Sequence, residues 1–219
     1  MISLLNNDII NKVAMKVISF LNPKGGTGKT TATINISTCL SRQGLNVAVV
    51  DTDPQRSLTN WNKLQKAIFD LYTSESEKDV YQVRKELNEY DYVIIDGAGS
   101  LSVITSAAVM VSDLVVIPVS PSPLDFSASG SVINVLEAQE FSRKVPACFL
   151  ISRMVANANM LDVLKLSINN TKYPRLRTGL TNRQSYIKTL INGETIFDSK
   201  DTKAIGEIEV LTQEIINMI

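Results

Sequence analysis

The stretch Asn22-Pro23-Lys24-Gly25-Gly26-Thr27-Gly28-Lys29-Thr30-Thr31 lies between an apolar run, Lys16–Asn22, and an amphipathic one, Lys29–Gln43. The first reads as a strand and the second as a helix, so a glycine-rich turn carries the chain from strand to helix. Glycines there let main-chain N–H groups converge on an anion with no side chain in the way. The start of the helix adds positive potential. Lys29 is placed to reach the β- and γ-phosphate oxygens of a nucleotide, Thr30 to ligate Mg²⁺ through its hydroxyl, and Thr31 to bond a more proximal phosphate.

Outward from this turn, short β-branched runs alternate with longer amphipathic ones. Gly44 stops the first helix and Asn46–Asp51 reads as the second strand. Gln55–Phe69 is expected to be helical, Asp70–Thr73 a short strand and Glu77–Glu89 a helix. Tyr92–Asp96, Leu114–Val119 and Ala147–Ser152 read as further strands. Helices are expected over Ser100–Val111, Phe126–Ser142, Asn159–Asn169, Asn182–Leu190 and Glu207–Ile219, and an edge strand over Pro174–Thr178. Val17–Phe20, Val47–Val50, Val93–Ile95 and Leu114–Ile117 are apolar throughout rather than alternating, as strands covered on both faces are. The fold class is therefore α/β: one doubly wound, mostly parallel sheet flanked by helices.

Two of the strands end in acids, Asp51-Thr52-Asp53 and Asp96. Ligands of open α/β sheets sit beyond the carboxyl ends of the strands, so these acids are expected to face the phosphate turn. The turn itself departs from the general phosphate-loop pattern. Pro23 stands where the first glycine is usual, and Lys24 follows it. This Lys-Gly-Gly-Thr-Gly-Lys-Thr form is the deviant Walker A motif, and with it the chain resembles the ParA/MinD superfamily of ATPases. The segment Pro118-Val119-Ser120-Pro121-Ser122-Pro123-Leu124-Asp125-Phe126 resembles the ParF subgroup of plasmid partition ATPases. The resemblance runs from Met15 to Ile219.

The resemblance implies ATP and Mg²⁺ as cofactors, bound by Lys24, Gly25, Gly26, Thr27, Gly28, Lys29, Thr30 and Thr31. It implies that Lys24 reaches across a homodimer to the partner subunit's nucleotide. Asp96 takes the Walker B role, holding Mg²⁺ through water. Asp53 orients the attacking water, and Asp51 supports Mg²⁺ or Lys24. Asp96-Gly97-Ala98-Gly99 departs from the superfamily's more usual Asp-x-Pro-Pro or Asp-x-Pro-Gly, which leaves the γ-phosphate-sensing loop open. Arg153 follows Ser152 where an adenine-contacting Asn-Arg pair is usual, so only Arg153 carries over. The chain has no histidine and no evident strong base. Slow hydrolysis is expected, raised by a partner that orders the site or supplies an Arg. That partner is implied to be a small centromere-binding protein of ribbon-helix-helix type, and the ATP-bound dimer, or a higher assembly, to coat non-specific DNA.

Composition narrows the alternatives. The 219 residues carry equal numbers of basic and acidic side chains, so net charge alone implies neither nucleic acid nor an acidic ligand. The distribution is uneven: Phe141–Leu190 holds nine basic residues and one acid, Asp162. Arg175, Arg177, Arg183 and Lys188 are the candidates for gripping DNA phosphates without reading sequence; the alternative is a solvated face offset by acids elsewhere. Cys39 and Cys148 make no metal or disulfide pattern and suit small buried hydrophobes in a reducing cytosol. No paired cysteines speak for an iron–sulfur carrier. No apolar run is long enough to span a membrane. The acidic terminal helix, with Glu207, Glu209 and Glu214, argues against a MinD-like membrane-cycling protein, which is the alternative reading. The expected location is cytoplasmic, on the nucleoid. Met1–Ala14 is expected to be a short appendage that need not be ordered, or the product of an upstream start codon, ahead of one ATPase domain over 15–219.

Overall fold

The structure is a computed structural model that describes residues 14–155 and 159–219. The expected appendage over Met1–Ala14 falls, but for Ala14, outside the described residues. Six strands, β1 (Lys16–Phe20), β2 (Val47–Asp51), β3 (Asp70–Thr73), β4 (Tyr92–Asp96), β5 (Leu114–Val119) and β6 (Ala147–Ile151), form one parallel sheet in the order β3-β2-β4-β1-β5-β6. Eight α-helices accompany it among the described residues: α1 (Lys29–Arg42), α2 (Ser57–Trp61), α3 (Glu77–Glu86), α4 (Val103–Val111), α5 (Pro123–Gln139), α6 (Asn159–Asn169), α7 (Gln184–Ile191) and α8 (Thr202–Ile216).

Alternate residues of β1, β2, β4, β5 and β6 enter two separate cores, which is why these strands read as mostly apolar, whereas the edge strand β3 is largely exposed. Val17, Val93, Ile95 and Ile117 pack with α3, α4, α5 and α6. Ile18, Phe20, Val49, Ile94 and Val116 pack with α1, α2, α7 and α8. Cys39 and Cys148 are both buried in this second core. The neighbouring strands β1 and β4 lead into helices on opposite faces, α1 and α4. Their carboxyl ends, paired at Phe20 and Asp96, flank the crevice where an open sheet of this kind accepts a ligand.

Several elements differ from expectation. The helix expected over Gln55–Phe69 is cut to α2 and a 3₁₀ turn at Asn62–Leu64. Left-handed backbone at Arg56 and Gln65 bounds it, and the Asn62 side-chain carbonyl accepts the N–H of Ala67 at 3.1 Å. The strand expected over Pro174–Thr178 is reduced to one bridge, Phe149 with Arg175. Pro174 has no N–H to give, and Glu214 of α8 takes the N–H groups of Arg177 and Thr178. The strand β5 matches the expected Leu114–Val119, Pro118 included, but α5 opens at Pro123, ahead of the expected Phe126, so the proline-rich segment is less of a loop than its composition suggests. Helix α8 starts at Thr202, ahead of the expected Glu207, because the Asp201 carboxylate accepts the N–H of Ala204 at 3.1 Å.

Candidate active site: the phosphate loop and its acids

The loop after β1 is fixed at its entry by buried Asn22. Its amide donates to the Pro118 carbonyl at 2.8 Å, and its side-chain oxygen accepts the N–H of Lys24 at 2.9 Å. Gly26 and Gly28 both have left-handed backbone, with φ of 78° and 90°. At Gly28 a Cβ would also lie 3.2 Å from that of Ser152, whose hydroxyl donates to the Thr27 carbonyl at 2.6 Å. Glycine is therefore required there twice over, by backbone conformation and by the approach of β6. Lys29, the first residue of α1, is buried and curls back to donate to the Lys24 carbonyl at 3.1 Å. Burial lowers its pKa, against the opposing pull of Asp96 and Asp53.

Asp96 ends β4 beneath this loop and is fully buried. Thr30 donates to one of its oxygens at 2.8 Å and Thr33 to the other at 3.2 Å. Burial pushes the Asp96 pKa up to about 7, with Asp51 adding to the rise and Thr30 and Lys29 opposing it. A buried carboxylate so reluctant to ionise, with a threonine hydroxyl on it, fits a nearby divalent cation, whose charge would relieve both effects. The folded chain binds a proton that the unfolded chain releases near pH 4, so this group makes stability fall as pH rises from about 4 to about 7. Urea unfolding in EDTA across that window is expected to show the fall, and Asp96→Asn to flatten it.

The other acids take different places. Asp51 is buried; Thr59 donates to one oxygen through its N–H at 3.0 Å and its hydroxyl at 2.8 Å, and the N–H of Asp53 to the other at 3.1 Å. The carboxylate expected to support Mg²⁺ or Lys24 is thus engaged in holding the start of α2 onto the sheet. Asp53 lies in the open cleft, where one oxygen accepts the N–H of Gln55 at 2.9 Å. Lys24 does not join Lys29: its ammonium forms an ion pair with Asp125 in the first turn of α5, and Ser120 donates to the same carboxylate.

The cleft has a volume of about 860 Å³, and its lining includes Gly25, Gly28, Lys29, Thr30, Asp53 and Gly99. Gly97 occupies the variable position of the β4-end motif and is fixed by a close approach, because a Cβ there would fall 2.8 Å from the Phe20 carbonyl oxygen; the departure itself is Ala98, where proline is usual. Arg153 has left-handed backbone, φ 51°, and its guanidinium reaches back over the phosphate loop: a Cβ on Gly26 would lie 3.7 Å from both terminal nitrogens. A second hollow of about 370 Å³ adjoins it, between Thr31 and the Leu180–Tyr186 segment.

The DNA candidates are not alike. Arg183 is half-buried and spends its charge on Glu207 at 3.0 Å and Asp201 at 3.6 Å. Arg175, Arg177 and Lys188 are exposed. Elsewhere in the basic stretch Lys172 pairs with Glu137 and Glu140, and Lys165 with Asp162. Acids from α5 and α8 therefore offset part of the local excess. Sequence reading passed over Ser152's bond to the loop, Asp125 and the Leu180–Tyr186 wall, all brought in by tertiary structure.

Comparison with known proteins agrees with this geometry. The model of the family "CobQ/CobB/MinD/ParA nucleotide binding domain" matches residues 18–204. The chain is 30% identical over 207 residues to maintenance of carboxysome distribution protein A from Halothiobacillus neapolitanus, covering 91% of this chain and 95% of that protein. It is 28% identical over 170 residues to protein ParA from Rhizobium radiobacter, covering 76% and 72%. In fold it is similar to a putative plasmid partition protein from Borrelia burgdorferi bound to AMPPNP, with a TM-score of 0.75 at 20% identity over 93% of this chain and 99% of that one. The phosphate loop, the buried acid at the end of β4 and the family match together establish that the chain belongs to the CobQ/CobB/MinD/ParA family of nucleotide-binding proteins and is a P-loop ATPase with ATP and Mg²⁺ as its cofactors.

Proposed function

We propose that this ATPase is a DNA partition protein of the ParF-like subgroup, in which ATP joins two subunits and the joined form binds DNA without sequence preference. The observation that carries the reading is the separation of the two loop lysines. Lys29 is buried within the loop, whereas the Lys24 side chain is partly exposed, its ammonium turned away from Lys29 and paired with Asp125. A cation so placed is suited to a second subunit's phosphates.

In the catalytic step the chain's own groups have distinct tasks. The amides of Gly25–Thr30 and Lys29 hold and neutralise the phosphates. Thr30 and Asp96 would hold Mg²⁺, which supplies charge neutralisation when bound. Asp53, in the open cleft, orients the attacking water. Asp51 keeps Asp53 in place through the N–H contact described above. Arg153 lies by both the loop and the neighbouring hollow, a position that serves the adenosine end or the phosphates. With no histidine in the chain, turnover is slow until a centromere-binding partner, of ribbon-helix-helix type in this reading, completes the site.

Arg175, Arg177 and Lys188 are the residues proposed to meet DNA phosphates; Arg183, already paired, serves the fold first. The alternative, MinD-like cycling on a membrane, has less support. Helix α8 buries Ile208, Leu211 and Ile215 in the core, and among the described residues no helix is long and apolar enough to cross a membrane. The experiment is DNA binding with ATP, ADP or no nucleotide, for the wild type and Lys24→Ala. Binding is expected only with ATP and only for the wild type. Affinity indifferent to both nucleotide and Lys24 would remove the switch, and liposome co-sedimentation in place of DNA binding would favour the alternative.

A further inference from the structure

Lys24 is asked to serve a neighbouring subunit, yet in this chain it is already held. Its partner, Asp125, is 7% exposed and sits in the first turn of α5. The Ser120 hydroxyl donates to one carboxylate oxygen and the Lys24 ammonium to the other. We infer that Asp125 is an internal rival for Lys24: it keeps the lysine on its own subunit, and a neighbour's triphosphate captures the lysine only by outcompeting it. This inference rests on the dimer reading above and adds a regulation to it.

Three observations support a rivalry rather than a permanent bond. First, the anion is fixed. Burial works against its charge, but hydrogen bonds from Lys24 and Ser120, with Arg153 adding from across the loop, hold the Asp125 carboxyl below the usual carboxylate range. Second, the anion keeps compensation when the lysine leaves. Ser120, Arg153 and the start of α5 remain, so release does not strand a buried charge. Third, the cation is free to move. The Lys24 side chain is 39% exposed, beside exposed Gly25 and Gly26, and the loop backbone is pinned by Asn22, so the side chain can swing while the loop stays. A partly exposed pair of this kind is worth about threefold in an equilibrium, and a dimer that opens two of them would be opposed about tenfold.

A competing role, in which Asp125 presents Lys24 to the neighbour, predicts the opposite sign. The test is the dimer dissociation constant of the full chain in AMPPNP and Mg²⁺, by analytical ultracentrifugation. Asp125→Asn is expected to lower it about tenfold, and an unchanged or raised constant would overturn the inference. Should Asp125→Asn lack a cooperative melt, Ser120→Ala is read the same way, with a fall of about twofold expected and no change or a rise overturning it. Lys24→Ala run alongside separates the two claims. If it dimerises like the wild type, the dimer reading itself fails. If it stays single while Asp125→Asn gains nothing, only the rivalry fails.

Discussion

Lys29→Ala is expected to weaken ATP binding by about 100-fold or more while leaving the fold intact. Lys29 is the one loop lysine turned inward, and a charge-assisted contact to phosphate is among the strongest single contacts available. The same burial that positions it lowers its pKa, so the folded chain holds this ammonium at a cost. Its removal loses one bond to the Lys24 carbonyl but also relieves that cost. The melting temperature should therefore stay within about 4 °C of the wild type. Fluorescent-nucleotide titration and a thermal melt on the same sample check both parts. Weak binding together with a collapsed melt would mean that the lysine is a structural residue.

Asp53→Ala is expected to spare binding and remove turnover. Asp53 is in the cleft but does not hold the loop; its own contact is the N–H of Gln55. A group that orients water acts in the reaction step, so kcat should fall by about 100-fold or more with KM little changed. Asp51→Ala makes a useful contrast. That carboxylate holds Thr59 and Asp53 in place, so its loss should lower stability as well as activity. If Asp53→Ala instead raised KM and left kcat alone, Asp53 would belong to binding.

Much of the site was legible because its parts are local in sequence. A glycine-rich turn between strand and helix, and acids at the ends of apolar strands, carry their geometry with them. Asp51 shows where that stops: its place at a strand end was readable, but not that Thr59, eight residues on, would occupy it. Arg183 is similar. A charge count over Phe141–Leu190 marks it as a DNA candidate, and only the packing of α8 brings Glu207 to it. Asp125 stood in the sequence only as one residue of the proline-rich segment that resembles the ParF subgroup, and the fold sets it against Lys24. The helix expected over Gln55–Phe69 had the right apolar spacing, but left-handed turns at Arg56 and Gln65 outweighed periodicity.

In the proposed function Lys24 joins two subunits through ATP. Light scattering of the full chain with AMPPNP and Mg²⁺, for the wild type and Lys24→Ala, tests it most directly. Twice the subunit mass is expected for the wild type and a single subunit for the variant. A wild type that stays single with bound nucleotide, or a variant that doubles as readily, would contradict it.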